Sequence, residues 1–110
     1  MSSILFRKNN QLWVEQVSLQ QVAENFETPF YIYSMDAIKN NFDTYKAALS
    51  GQKHLICYSV KANSNIAVLQ TLARLGSGFD IVSLGELERV LMAGGDPKKI
   101  VFSGVGKSRL

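Results

Sequence analysis

The chain has 110 residues, room for one small domain. Hydrophobic residues make up 46% and charged residues 19%, an ordinary balance for a globular protein, with a formal net charge of +3. The basic residues, Arg7, Lys39, Lys53 and Lys98 among them, are scattered rather than striped, which argues against a nucleic-acid partner.

A single cysteine, Cys57, excludes an internal disulfide and suits a reduced, cytoplasmic setting. The opening MSSILFRKNN lacks the sustained apolar stretch of a signal peptide. The longest apolar run, Leu55 to Val60, is far too short to span a membrane.

In chain order, Ile4 to Phe6 and Leu12 to Val14 flank the polar turn Lys8-Asn9-Asn10-Gln11 and predict a small hairpin. Ser18 is placed to cap a short helix through Phe26, with Leu19, Val22 and Phe26 on one face. Thr28-Pro29 ends it, because a residue before proline avoids the helical region. Phe30-Tyr31-Ile32-Tyr33 predicts a strand. Ser34 or Asp36 then opens a helix with Ile38, Phe42, Tyr45 and Leu49 inward, closed at Ser50-Gly51.

Leu55 to Val60 predicts a second strand, so continuously apolar that cover on both faces is expected. A helix from about Asn65 carries Ile66, Leu69, Leu72 and Ala73 and breaks at Gly76-Ser77-Gly78. Phe79 to Val82 is the third predicted strand. Ser83 starts a helix with Leu84, Leu87, Val90 and Leu91 inward, ending at Gly94-Gly95-Asp96-Pro97, and Ile100 to Ser103 is the fourth strand.

The order βαβαβαβ with short connections predicts an α/β fold with a parallel sheet and right-handed crossovers. An open doubly wound sheet and part of a (β/α) barrel both suit it. A barrel takes about 250 residues, of which this chain supplies no more than about half. Ser108 is placed to cap a further helix just as the sequence stops, which reads as a piece of something larger.

In such folds the ligand sits at the carboxyl ends of the parallel strands. Lys61 follows the second strand. A lysine there has a packed stem, and partial desolvation would favour the free amine that attacks an aldehyde; the plain alternative is a lysine that ends a strand in solvent. Asp80 stands in the third strand, where it could hold a lysine or a cofactor nitrogen cationic; the plain alternative is a loop or capping aspartate. Ser83-Leu84-Gly85-Glu86 matches a capping box. Ser103-Gly104-Val105-Gly106-Lys107-Ser108 looks like a phosphate loop but lacks the Walker A spacing, since Val101 stands where its first glycine would be. His54 precedes its strand, at the wrong end for the site, and no metal-ligand spacing is present. Cys57 reads as a small core hydrophobe; Tyr58, on the strand that carries Lys61, could face a barrel interior near a cofactor, its plain reading being core packing.

Three strings carry a resemblance. Tyr58-Ser59-Val60-Lys61-Ala62-Asn63-Ser64-Asn65 resembles the lysine motif of the alanine-racemase-like, fold-type III pyridoxal-phosphate enzymes. Gly76-Ser77-Gly78-Phe79-Asp80-Ile81-Val82-Ser83-Leu84-Gly85-Glu86-Leu87 and Ile100-Val101-Phe102-Ser103-Gly104-Val105-Gly106-Lys107-Ser108 resemble the next two motifs of their decarboxylase branch, in order. Thr28-Pro29-Phe30-Tyr31-Ile32-Tyr33 is similar to that family's entry into its barrel. The wording is closest to members that convert meso-2,6-diaminopimelate to L-lysine and carbon dioxide, the last step of lysine biosynthesis.

The resemblance implies the N-terminal part of a (β/α)8 TIM barrel, with residues 1–29 contributing to a β-rich second domain and residues 30–110 forming the first half of the barrel. It implies pyridoxal 5'-phosphate as cofactor, Lys61 as the catalytic Schiff-base lysine, and Asp80 close to Lys61 and the cofactor with Glu86 behind it. It further implies a small amino-acid substrate and a homodimer whose second subunit completes the site, with no nucleic acid and no membrane involved. The family's ring-stacking histidine, glycine-rich phosphate loop and substrate-reading residues lie further along such chains, so these residues alone are expected to be inactive. The competing readings are a racemase, a decarboxylase of ornithine, arginine or carboxynorspermidine, a non-catalytic cofactor-binding module, and a free-standing open-sheet domain.

Overall fold

A computed structural model of the chain describes residues 3–108. Two three-stranded sheets organise it. The first is antiparallel, formed by β1 (Leu5–Lys8), β2 (Gln11–Val14) and the short β3 (Val17–Ser18). The hairpin expected from sequence is present, and β3 extends it. Asn9 and Asn10 take φ of 51° and 62°, the positive values that a two-residue turn matching the strand twist requires and that asparagine tolerates.

Ser18 caps α1 (Leu19–Asn25) by accepting the Gln21 N–H at 3.0 Å. Ser34 caps α2 (Met35–Ala48) by accepting the Ala37 N–H at 3.0 Å. Between these helices, Phe30 to Tyr33 does not form the predicted strand: it is not paired into either sheet, and Tyr31 is 89% exposed. Its apolar pattern suits burial between neighbours, but a strand exists only where a partner completes its ladder. An open cavity of 530 Å³, lined by Tyr33, Ile38, Phe42, Ile56 and Tyr58, borders the free edge of the next strand.

That strand is β4 (Cys57–Ser59), followed by a 3-10 turn over Val60–Ala62. Then come α3 (Ile66–Arg74), β5 (Gly78–Ile81), α4 (Leu84–Met92), a 3-10 turn over Pro97–Lys99 and β6 (Ile100–Phe102). The strands pair in the order β4-β5-β6, all parallel, with Ser59 opposite Asp80 and Asp80 opposite Val101. Gly76 and Gly94, both at φ 89°, follow α3 and α4 where the left-handed backbone favours glycine.

The core lies on one face of this sheet. Phe79 and Ile81 of β5 join Phe42 of α2, Val68, Leu69 and Leu72 of α3, and Val90 at the end of α4, with Tyr58, Ile100 and Phe102 packed against them. Successive strand residues point to opposite faces, so Cys57, Ser59, Gly78, Asp80 and Val101 share the other face, and none of them belongs to the core cluster. Helices on both faces mark a doubly wound sheet, whereas helices on the outer face alone mark a barrel wall. The core of the described residues is one-sided, as in the wall of a (β/α) barrel, and Cys57 and Ser59 face away from it.

Other details also depart from the sequence expectation. Leu84 and Leu91 are 67% and 46% exposed, while α4 turns Leu87 and Val90 inward as expected, with Ala93 just beyond it. Tyr45 of α2 is exposed as well. Helical spacing places four residues on an arc, and the sheet below covers only its centre. Ser103 lies just outside β6, although its N–H still donates to the Ile81 carbonyl at 2.9 Å. The helix expected to open at Ser108 falls on residues 109 and 110, outside the described residues.

Candidate functional site

The carboxyl ends of β4, β5 and β6 bring three side chains together on the face opposite the core. Asp80, half-buried, accepts hydrogen bonds on both carboxylate oxygens. The Ser59 hydroxyl donates to Oδ2 at 3.2 Å, and the Ser103 hydroxyl donates to Oδ1. Residues 21 and 23 positions away meet Asp80 because parallel pairing sets Ser59 beside it and the Ser103 N–H continues the ladder on its other side.

Lys61 lies two residues past Ser59, in the 3-10 turn, which packs against β5. Val60 is fully buried under the helices, and the next residue, Lys61, is exposed. The turn is closed from two sides: the Asn63 N–H donates to the Val60 carbonyl at 3.2 Å, and the Tyr58 hydroxyl donates to the Asn63 carbonyl at 3.0 Å. Tyr58 itself packs on the core side, as its plain reading held, and burial pushes its phenol up. Asn65 then caps α3 by accepting the Ala67 N–H at 2.9 Å. A single stretch thus holds Lys61 between a buried valine and a capped helix.

Cys57 shares the face of Ser59 and Asp80. Burial pushes its thiol up, and the negative charge of Asp80 adds to the effect. Gly78 lies opposite Cys57, where an added Cβ would come within 2.8 Å of the Cys57 sulfur and 2.6 Å of the Lys99 carbonyl; only glycine lets the three strands approach there. Glu86 serves the α4 terminus: its Oε1 accepts the Val82 N–H at 2.9 Å while Ser83 accepts the Glu86 N–H at 3.1 Å. His54 is exposed ahead of β4, at the opposite end of the sheet.

Sequence reasoning named Lys61 and Asp80 but gave no role to Ser59, Ser103 or the Tyr58–Asn63 bond. The available signal was position: Ser59 and Ser103 stand at the carboxyl ends of the second and fourth predicted strands.

Residues 35–110 match the family described as pyridoxal-dependent decarboxylase, pyridoxal binding domain. The chain belongs to that family, and its cofactor is pyridoxal 5'-phosphate. It is 57% identical over 103 residues to the diaminopimelate decarboxylase of Vibrio cholerae, covering 94% of this chain and 25% of that protein. The crystal structure of diaminopimelate decarboxylase from Helicobacter pylori complexed with L-lysine is 53% identical, with a TM-score of 0.78 over 82% of this chain and 23% of that one. The M. jannaschii enzyme in co-complex with L-lysine superposes with a TM-score of 0.87 at 34% identity, over 96% of this chain and 26% of that one. The chain thus spans about a quarter of the length of the relatives it matches.

The described residues suit this cofactor chemically. They present an exposed primary amine at a strand end and, across the neighbouring strand, a carboxylate already fixed by two hydroxyl donors. Among the described residues no helix is long and apolar enough to cross a membrane.

Proposed function

We propose that this chain is the N-terminal quarter of a diaminopimelate decarboxylase, and that Lys61 and Asp80 are its contribution to the cofactor site. The observation that carries the reading is the placement of one exposed amine, Lys61, just beyond Ser59, the residue whose hydroxyl holds Asp80. The identity of more than half of the residues to named diaminopimelate decarboxylases supports the substrate, meso-2,6-diaminopimelate, and the product, L-lysine.

Lys61 Nζ tethers the cofactor, and its exposure lets a substrate amine reach the same point. Asp80 keeps a negative charge at the strand ends, where it orients a cationic group. The Val60–Ala62 turn places Lys61 just beyond the carboxyl end of β4. Bound pyridoxal phosphate supplies the electron sink for the carbanion left when carbon dioxide departs. Residues 1–29 belong to a β-rich second domain, and residues 30–110 to the first half of the barrel. The complete protein works as a cytoplasmic homodimer in lysine biosynthesis, with its remaining site residues supplied downstream and by the partner.

The test uses the intact protein. Incubation with pyridoxal phosphate and reduction with borohydride should leave the adduct on Lys61, and carbon dioxide should be released from meso-diaminopimelate. An adduct on another lysine would overturn the assignment of Lys61. Turnover of ornithine or arginine in place of diaminopimelate would overturn the substrate.

A further inference from the structure

We infer that Ser59 and Ser103 are positioning residues of the cofactor site, each hydroxyl holding one oxygen of the Asp80 carboxylate so that its charge is fixed at the strand ends where Lys61 emerges. The inference rests on the reading of Asp80 proposed above.

The geometry is specific. The three side chains come from the ends of three successive parallel strands and project from the face that the core leaves open. Ser59 is the direct cross-strand partner of Asp80, and the Ser103 backbone is anchored to Ile81, the residue after Asp80. Both hydroxyls are therefore delivered by the ladder. A carboxylate on a short side chain turns easily about its last torsion, which is broad and roughly two-fold. One donor leaves that rotation partly free; two donors from opposite strands, one on each oxygen, remove it.

The chemistry of the donors matters as much as their number. A hydroxyl donates a hydrogen bond without bringing a positive charge. An arginine or lysine at either position would fix the carboxylate and cancel it. Serines fix it without bringing a counter-charge to the strand ends, where Lys61 follows β4. The charge is felt locally: Cys57, on the same face, is disfavoured as a thiolate partly through Asp80.

Cys57 is thus a built-in reporter that does not depend on turnover. In the intact protein labelled with 13C-cysteine, the Cys57 signal is assigned by its loss in Cys57→Ser and titrated with pH. In Asp80→Asn the thiol midpoint should fall, because the repelling charge is gone. In Ser59→Ala/Ser103→Ala it should move off the wild-type value as the freed carboxylate turns, and in Ser59→Thr/Ser103→Thr it should stay at the wild-type value. Borohydride trapping of pyridoxal phosphate on Lys61 should slow about tenfold in the double alanine variant, the equivalent of one hydrogen bond to a charged group, and recover in the double threonine variant. If the double alanine variant does not fold, the single variants carry the same comparison, each with a smaller shift.

A double alanine midpoint equal to wild type, alongside a shifted Asp80→Asn midpoint, overturns the positioning role. So does a threonine variant that behaves like the alanine variant. Wild-type protein that gives no adduct on Lys61 overturns the cofactor reading instead, while the Cys57 midpoints still report whether the serines hold Asp80.

Discussion

The Glu15 carboxylate and the Ser34 hydroxyl meet at 2.7 Å, joining the antiparallel sheet to the first helix of the parallel layer. The same oxygen of Glu15 accepts the Asp36 N–H at 2.9 Å, while Ser34 accepts the Ala37 N–H. Two free N–H groups of the α2 terminus are thereby satisfied, and an anion sits where the helix dipole favours one. Glu15 takes φ 55°, as the first residue of the two-residue turn between the paired Val14 and Val17.

The hydrogen bond from Ser34, and then that from the Asp36 N–H, hold the Glu15 carboxyl below the usual glutamate value; burial opposes them weakly. Because the folded-state value is the lower one, the stabilisation is fully present above the ordinary glutamate value. It is lost as pH falls from there through the depressed value. Glu15→Gln should flatten this part of the stability profile. Glu15→Ala should cost about 1 kcal/mol at neutral pH, the usual scale for a lost helix cap, as measured by urea unfolding of the intact protein.

Leu69 is fully buried beneath the sheet, against Phe79 and Ile81 in the same cluster. Leu69→Ala should destabilise by about 2–5 kcal/mol through lost transfer energy and the cavity left behind. Gly95→Ala should also destabilise, by overpacking rather than by a cavity: its Cβ would lie 2.5 Å from a Val90 methyl and 3.2 Å from the Phe79 ring. A loss of about 1–3 kcal/mol is expected, again read from the denaturation midpoint.

Tyr58→Phe removes the hydroxyl that bridges to the Asn63 carbonyl while keeping the ring in the core. The expected loss of stability is small, about 0.5–1.5 kcal/mol. The more telling readout is amide exchange at Asn63, which should speed up as the Lys61 turn loosens. Unchanged exchange would mean that the helix cap at Asn65 holds the turn without Tyr58.

Lys61→Ala should abolish covalent attachment of pyridoxal phosphate, and Lys61→Arg should abolish it too, because a guanidinium stays protonated and is no nucleophile. Both should leave the stability of the cofactor-free protein within about 0.5 kcal/mol of wild type, since the side chain is exposed. Absorbance of the reconstituted protein and its thermal midpoint, measured together, check this pair of outcomes.

The alternation of strands and helices was legible in the sequence, and so were the caps at Ser18 and Ser83, with Glu86 reaching back; of Ser34 and Asp36, the structure makes Ser34 the cap of α2. These features are local: a cap is decided within three or four residues, and a helix by its own repeat. The place of Lys61 at the end of its strand was legible for the same reason. Tertiary structure alone decided which face of the sheet the helices cover, that Phe30 to Tyr33 goes unpaired, and that Leu84, Leu91 and Tyr45 point outward. It alone decided that Asp80 is held by Ser59 and Ser103, because contacts between residues more than twenty positions apart depend on the register of neighbouring strands. Lys61 could be found by reading along the chain; the fixed charge beside its strand appears only when three strands are set side by side.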